Sequence, residues 1–292
     1  MKKTNVMSLF NGMSFGMMAL ETLGVEVGNY YSSEIDKYAN QATKALYPDI
    51  IQMGDVTKWR EWDIDWSSID LLLAGFPCQA WSIAGKQKGD NDPRGALVHD
   101  LIAIWKHINL KRYMAGKDPV KFMFENTRMK SSYLDYVNDL FGVKPIRINS
   151  ALVSAQNRVR YYWTNIPGVN QPMDKEISLV SILENPMNMP PFIAYKQKSK
   201  CLRVGGGGSK LGDKHEWDSP LRLNKGMEIT KGQFKYYNKI RFTTREMARL
   251  QTVPSGKINT LLNSGAPKTQ LHKMLGNGWV HDVIVHILKG LK

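Results

Sequence analysis

Acidic residues, cysteines and long apolar runs are what this chain has least of. Among 292 residues, 26 are Asp or Glu against 40 Lys or Arg, a formal net charge of +14. A concentrated basic excess is the electrostatic footprint of a polyanionic partner. Two cysteines, Cys78 and Cys201, are too few for a disulfide framework or a zinc site of sulfur ligands. The six histidines do not cluster with them, so no structural metal is expected. No apolar run reaches membrane length, since Gly, Pro or charge interrupts each one. The opening MKKTNVMSLFNG is basic, but its apolar stretch is too short and broken for a signal peptide. Without either signal, a cytosolic protein with no membrane partner is expected. The GxGxxG fingerprint is missing too, which argues against a nicotinamide-dependent dehydrogenase.

What is there begins with the distribution of charge. The segment Lys196–Arg245 holds 13 Lys or Arg against four Asp or Glu, so most of the excess lies in a small part of the chain. Trp217, Phe234, Tyr236 and Tyr237 interleave with these charges. A solvated basic face would explain the charges alone; the aromatics tilt the reading towards nucleic acid.

Short apolar runs alternate with helix-like stretches over the first half. Asn5–Phe10, Val27–Ser32, Ile69–Ala74 and Val120–Phe124 read as strands. Phe15–Leu23, Asp36–Leu46, Gly95–Ile108 and Ser131–Phe141 read as helices. This alternation predicts an α/β fold with a mostly parallel sheet covered on both faces. After Asn165 the pattern changes: five prolines between Pro167 and Pro191, then Gly205–Gly208, mark a loop-rich, basic unit over 166–240. Helical order returns at Thr243-Thr-Arg-Glu246, which has the form of a capping box, and Val280–Leu291 reads as an amphipathic helix. The expected organisation is one domain from 1–165 and 241–292, with a smaller one at 166–240.

Four places could carry chemistry. In Leu9–Gly16, LFNGMSFG, glycines after the first strand let a ligand approach the backbone at a helix N-terminus, though such turns are also common without ligands. Glu34 ends the second strand, and Asp55 follows a further strand end in MGDV, before Ile69–Ala74; each alone reads as a cap or turn residue. Together they outline a nucleoside pocket, with Glu34 for a ribose and Asp55 for an adenine amino group. Cys78 follows the apolar strand Ile69–Ala74, with Pro77 before it. A lone cysteine is more often structural than reactive; a nucleophilic one needs nearby positive charge or a backbone donor. Glu125 ends the run VKFMF, where partial burial favours a protonated carboxyl able to act as acid or donor. In QNRVR, strand alternation points Gln156, Arg158 and Arg160 to one face, suited to an anion or to the Glu125 carboxylate.

These motifs, in this order, resemble the cytosine-5 DNA methyltransferase family. LFNGMSFG, SSEID, GDV, GFPCQAWS, FENT, QNRVR, RFTTREMARLQTVP and MLGNGWV each match one of its motifs, across most of the chain. Some look closer to the animal de novo branch, others to bacterial and viral members. There are departures: Ser8 stands where Asp is usual, Ser14 and Phe15 replace a glycine pair, Thr127 replaces Val, and Gly278 and Trp279 replace Ser and Val.

The resemblance implies a Rossmann-like class I methyltransferase sheet with helices on both faces, plus a small loop-rich target-recognition domain. It implies S-adenosylmethionine as cofactor, held by Phe10, Gly12, Ser14, Glu34, Ile35, Asp55, Val56, Phe76, Asn277 and Trp279, and no metal. It makes Cys78 the nucleophile on cytosine C6, Glu125 the partner of the ring, and Arg160, less directly Arg158, the holder of the base carbonyl and of Glu125. The loop Gln79–Arg94 would close over a flipped base. Gln79, Ser82 and Lys86 there, and Arg203, Lys210 and Lys214 in the basic segment, would touch double-stranded DNA. A monomer in a bacterial or virus-infected cell is expected, with oligomers left open. A tRNA cytosine methyltransferase and a non-catalytic DNA-binding relative are the competing readings.

Overall fold

The computed structural model describes residues 3–77, 93–184, 198–202 and 242–291. The described strands are β1 (Thr4–Leu9), β2 (Val27–Ser33), β3 (Ile51–Gln52), β4 (Leu71–Gly75), β5 (Lys121–Thr127), β6 (Ile146–Asn149), β7 (Gln156–Asn157), β8 (Val159–Thr164) and β9 (Ser199–Lys200). The described helices are α1 (Phe15–Thr22), α2 (Lys37–Leu46), α3 (Pro93–Met114), α4 (Ser131–Phe141), α5 (Thr244–Leu250), α6 (Ser255–Leu262), α7 (Lys268–Asn277) and α8 (His281–Leu288). They fall into two compact units. The first is Met1–Ile148, Val159–Gln171 and Ile284–Lys292; the second is Asn149–Arg158 and Pro172–Val283.

The first unit is built on a sheet of order β3-β2-β1-β4-β5-β8-β6. The pairs β2–β3, β1–β2, β1–β4 and β4–β5 are parallel, and β8 runs antiparallel to β5. The continuous apolar runs read from the sequence are the central strands, because a strand covered on both faces must bury every side chain. Leu71, Leu72, Leu73 and Ala74 are all fully buried. Alternation sorts them: Met7, Leu9, Leu72, Ala74, Phe122 and Phe124 meet Val98, Leu101 and Ile104 of α3 and Val137 and Phe141 of α4. The chain steps one way from β1 through β2 to β3, then returns to β4 and steps the other way to β5. Right-handed crossovers of opposite direction put their helices on opposite faces.

Several limits move. The strand expected over Val120–Phe124 runs to Thr127, so Glu125 lies inside β5 and not beyond it. Pairing on both edges extends it: Glu125 is in register with Gly75 on β4 and with Tyr162 on β8. The helix expected over Gly95–Ile108 reaches Met114. Its last turn carries Arg112, buried and donating to the carbonyls of Ile69 and Asp118 at 2.6 Å each. That clamp ties the helix end to the start of β4. No described helix is long and apolar enough to cross a membrane.

In the second unit α5 opens as read: Thr243 Oγ1 accepts from Glu246 N–H at 3.1 Å and Glu246 Oε2 accepts from Thr243 N–H at 2.8 Å. The expected single helix Val280–Leu291 is α8 followed by a 3₁₀ turn, Lys289–Leu291.

Candidate active site

Strands β1 and β4 are neighbours whose chains leave in opposite directions. In an open α/β sheet that switch point, at the carboxyl ends of the strands, is where ligands bind. The carboxyl ends of β1, β2, β4 and β5 deliver Phe10 to Ser14, Glu34 with Ile35, Phe76 and Pro77, and Glu125 to Thr127 to that edge; the turn after β3 brings Asp55.

Beyond β1 the backbone turns through three left-handed residues, Phe10 (φ 55°), Gly12 (φ 58°) and Ser14 (φ 65°). A Cβ built on Gly12 meets nothing within 4 Å, so that side of the turn is open. Glu34 binds the turn to β2. Its Oε2 accepts from Gly12 N–H at 2.9 Å, and Oε1 accepts from Ile35 and Asp36 N–H at 2.8 Å each. A carboxylate oxygen has two acceptor directions, so Oε2 retains one for a ligand hydroxyl. Beside it Ile35 is 76% exposed, an apolar surface at the sheet edge. Asp55 caps the 3₁₀ turn Val56–Glu61: its Oδ1 takes both Thr57 N–H and Thr57 Oγ1–H at 2.9 Å. Val56 and Phe76 turn their side chains into the core, 5% and 2% exposed, so what they offer a ligand is main chain.

On the other side of the switch point, Glu125 is 8% exposed. Its neighbour across the ladder explains its partner. Because β8 is antiparallel and Arg160 is in register with Thr127, Arg160 stands at the same end of the sheet as Glu125. Arg160 Nε lies 3.1 Å from Glu125 Oε1, and its Nη1 donates to Val159 O at 2.8 Å. The pair is a held carboxyl beside the exit of β4. Asn126, which the sequence reading passed over, closes the gap. Its Nδ2 donates to Phe76 O at 3.1 Å, and its Oδ1 accepts from Thr127 N–H at 2.7 Å. It anchors the main chain two residues before Cys78. Adjacency to Glu125 in FENT was the available signal.

Cys78, Gln79, Ser82, Lys86, Arg203, Lys210 and Lys214 lie outside the described residues, as does most of the loop expected to close over the base; its last two residues, Pro93 and Arg94, open α3 instead.

Gln156, Arg158 and Arg160 do not share one face. Gln156 belongs to β7, which pairs with β9, and the ladder of β8 begins only at Val159. Arg158, between them, is buried in the second unit. Its Nη2 donates to Gly278 O at 2.8 Å and Gly276 O at 3.1 Å, and its Nη1 lies 3.1 Å from Cys201 Sγ. Gln156 Nε2 donates to Leu250 O at 2.7 Å and Gln251 Oε1 at 2.9 Å. Gln251 Nε2 in turn donates to Leu275 O and Gly278 O. Gln156, Gln251 and Arg158 therefore hold the end of α7, where Asn277 is exposed and Trp279 half-buried.

Comparison with known proteins agrees with this arrangement of motifs. Residues 4–135 match the family model for C-5 cytosine-specific DNA methylase. The chain is 38% identical over 250 residues to the Type II methyltransferase M.NlaIV of Neisseria lactamica, covering 76% of this chain and 58% of that one. This chain is a relative of the C-5 cytosine-specific DNA methylases. The Type II methyltransferase M.HgiCI of Herpetosiphon aurantiacus is 37% identical over 162 residues, covering 55% of this chain and 37% of its own. The chain thus spans less than two thirds of either methylase. The solved structure of the Entamoeba histolytica methyltransferase EhMeth superposes with a TM-score of 0.71 at 17% identity, covering all of both chains. The sheet and its helices have the class I methyltransferase fold.

Proposed function

We propose that this chain is a DNA (cytosine-5-)-methyltransferase that uses S-adenosylmethionine to methylate C5 of a cytosine flipped from a specific duplex sequence. The observation that carries the reading is the Glu125–Arg160 pair, set one strand away from the β4 exit that leads to Cys78. The residues at the cofactor end suit the group. A remaining Glu34 acceptor suits a ribose hydroxyl, exposed Ile35 suits an adenine face, and the open turn at Gly12 admits the methionine end. When bound, S-adenosylmethionine supplies the electrophilic methyl group.

Cytosine C5 is a poor nucleophile. Addition of the Cys78 thiolate to C6 makes it enamine-like. Glu125 hydrogen-bonds N3 and the exocyclic amine, offsetting negative charge pushed onto the ring. Arg160 keeps that carboxyl aimed and reaches the base carbonyl. Loss of the C5 proton and expulsion of the Cys78 sulfur restore the ring. The base must leave the stack, since its two faces meet different partners. Gln79, Ser82 and Lys86 would close over it, and Arg203, Lys210 and Lys214 would hold the duplex. The setting is the cytoplasm of a bacterial or virus-infected cell.

Transfer of labelled methyl from S-adenosylmethionine to duplex DNA and to tRNA, for the full chain and for Cys78→Ala, tests this. Duplex DNA should be labelled by the native chain alone, while Cys78→Ala still binds DNA. Label on tRNA in place of DNA, or a Cys78→Ala protein as active as the native one, would overturn it.

A further inference from the structure

The turn after β1 contains a residue that its backbone does not favour. Ser14 sits at φ 65°, where glycine is at ease and a residue with a Cβ is strained. It stands before the first residue of α1, yet its hydroxyl makes no capping bond to that helix. The hydroxyl, fully buried, is instead one member of a chain of hydrogen bonds. The Tyr30 hydroxyl donates to Asn11 Oδ1 at 3.2 Å, and Asn11 Nδ2 donates to Ser14 Oγ at 2.7 Å. Ser14 Oγ lies 2.9 Å from Thr43 Oγ1, and Thr43 Oγ1 donates to Gly12 O at 3.2 Å. Each hydroxyl has one proton. With the Thr43 proton on Gly12 O, the Ser14 proton goes to Thr43, and the bonds run one way from Tyr30 to Gly12. The Gly12 N–H is meanwhile taken by Glu34. Gly12 is therefore gripped at its N–H from the end of β2 and at its carbonyl from α2.

We propose that Thr43 is a positioning residue for S-adenosylmethionine. Its hydroxyl holds the Gly12 carbonyl and, through Ser14 and Asn11, keeps the left-handed turn in the shape that receives the methionine end. The inference rests on the functional reading above. It explains how the chain carries serine where its motif resembles one with glycine. Thr43 is buried at 0% exposure on α2, far from Gly12 in sequence, and its hydroxyl bonds both Ser14 Oγ and Gly12 O.

The test is titration calorimetry of the full chain with S-adenosylhomocysteine, beside kcat and KM for S-adenosylmethionine and ligand-free melting curves. Thr43→Val should weaken binding about fivefold, the scale of one lost hydrogen bond, while Thr43→Ser keeps native affinity. KM should rise by the same factor, with kcat at saturation within about twofold of native, because an effect on cofactor binding leaves the bound state's chemistry alone. Ser14→Ala, which keeps the Cβ and loses the hydroxyl, should bind more weakly than Ser14→Gly, which loses both. Native-like binding by Thr43→Val, equal weakening by Thr43→Val and Thr43→Ser, or equal binding by the two Ser14 variants would overturn the proposal. A native chain that does not bind S-adenosylhomocysteine would overturn the functional reading instead, and the proposal with it.

Discussion

At the scale of single residues, Glu125 and Arg160 define each other. A carboxyl at 8% exposure needs a partner, and the antiparallel register of β8 supplies one at 3.1 Å. Arg160 uses Nε for Glu125 and Nη1 for Val159 O, a two-point grip that a lysine ammonium on a flexible stem does not reproduce. Arg160→Lys should therefore lower kcat on the order of a hundredfold with DNA affinity little changed, and Glu125→Gln at least as much. Single-turnover methyl transfer measures both; an Arg160→Lys rate near native would remove Arg160 from the site. Arg158 has a different neighbourhood. Two guanidinium bonds end on the carbonyls of Gly276 and Gly278; Gln251 still reaches Gly278 O, so Arg158→Ala leaves the buried Gly276 carbonyl behind. It should cost about 1–3 kcal/mol in chemical denaturation.

At the scale of elements, the joins around the helix ends carry most of what can be tested. Asp282, in the first turn of α8, meets Lys175 Nζ at 2.6 Å and His281 Nδ1 at 2.9 Å. Burial alone would raise its carboxyl, but the bonds from His281 and Lys175 and the positive charges hold it below its ordinary 3.8. A carboxyl depressed in the folded state stabilises the fold above its unfolded value, and that contribution is lost as pH falls through the folded one. Asp282→Asn should thus be less stable than native at pH 7, with the gap shrinking below pH 3.8 in denaturation curves; a gap independent of pH would refute the assignment. At α5, the reciprocal bonds of Thr243 and Glu246 make Thr243→Ala cost about 1 kcal/mol by the same measurement.

Elements were also where the sequence was most and least legible. Helix α4 begins and ends where its periodicity predicts, at Ser131 and Phe141, since a buried apolar face and Gly142 in the left-handed conformation define it locally. Strand β5 is longer than its apolar run because pairing with β4 and β8 holds Glu125, Asn126 and Thr127 in the ladder. Cross-strand bonds leave no trace in local hydrophobicity. The expected shared face of Gln156, Arg158 and Arg160 failed for a related reason: alternation holds only within one continuous strand, and β7 pairs with a different partner from β8.

For the whole molecule, the dominant long-range quantity is the net charge of +14, concentrated in Lys196–Arg245. A protein that neutralises several phosphates releases their counterions, so its DNA affinity should fall at least about a hundredfold between 50 and 200 mM salt. Fluorescence anisotropy over a salt series measures this, and a flat response would take the basic segment out of the interface. The sequence by itself determined the alternation of strands and helices and the order of the motifs that hold Cys78, Glu125 and Glu34, because each is a local pattern of residue type and spacing. Only the tertiary structure decided that Arg160 pairs with Glu125 and that Arg158 binds the carbonyls of Gly276 and Gly278. It alone showed Asn126 holding the approach to Cys78 and Thr43 gripping the turn at Gly12. Those are contacts between residues distant in the chain or on neighbouring strands, and register and packing create them.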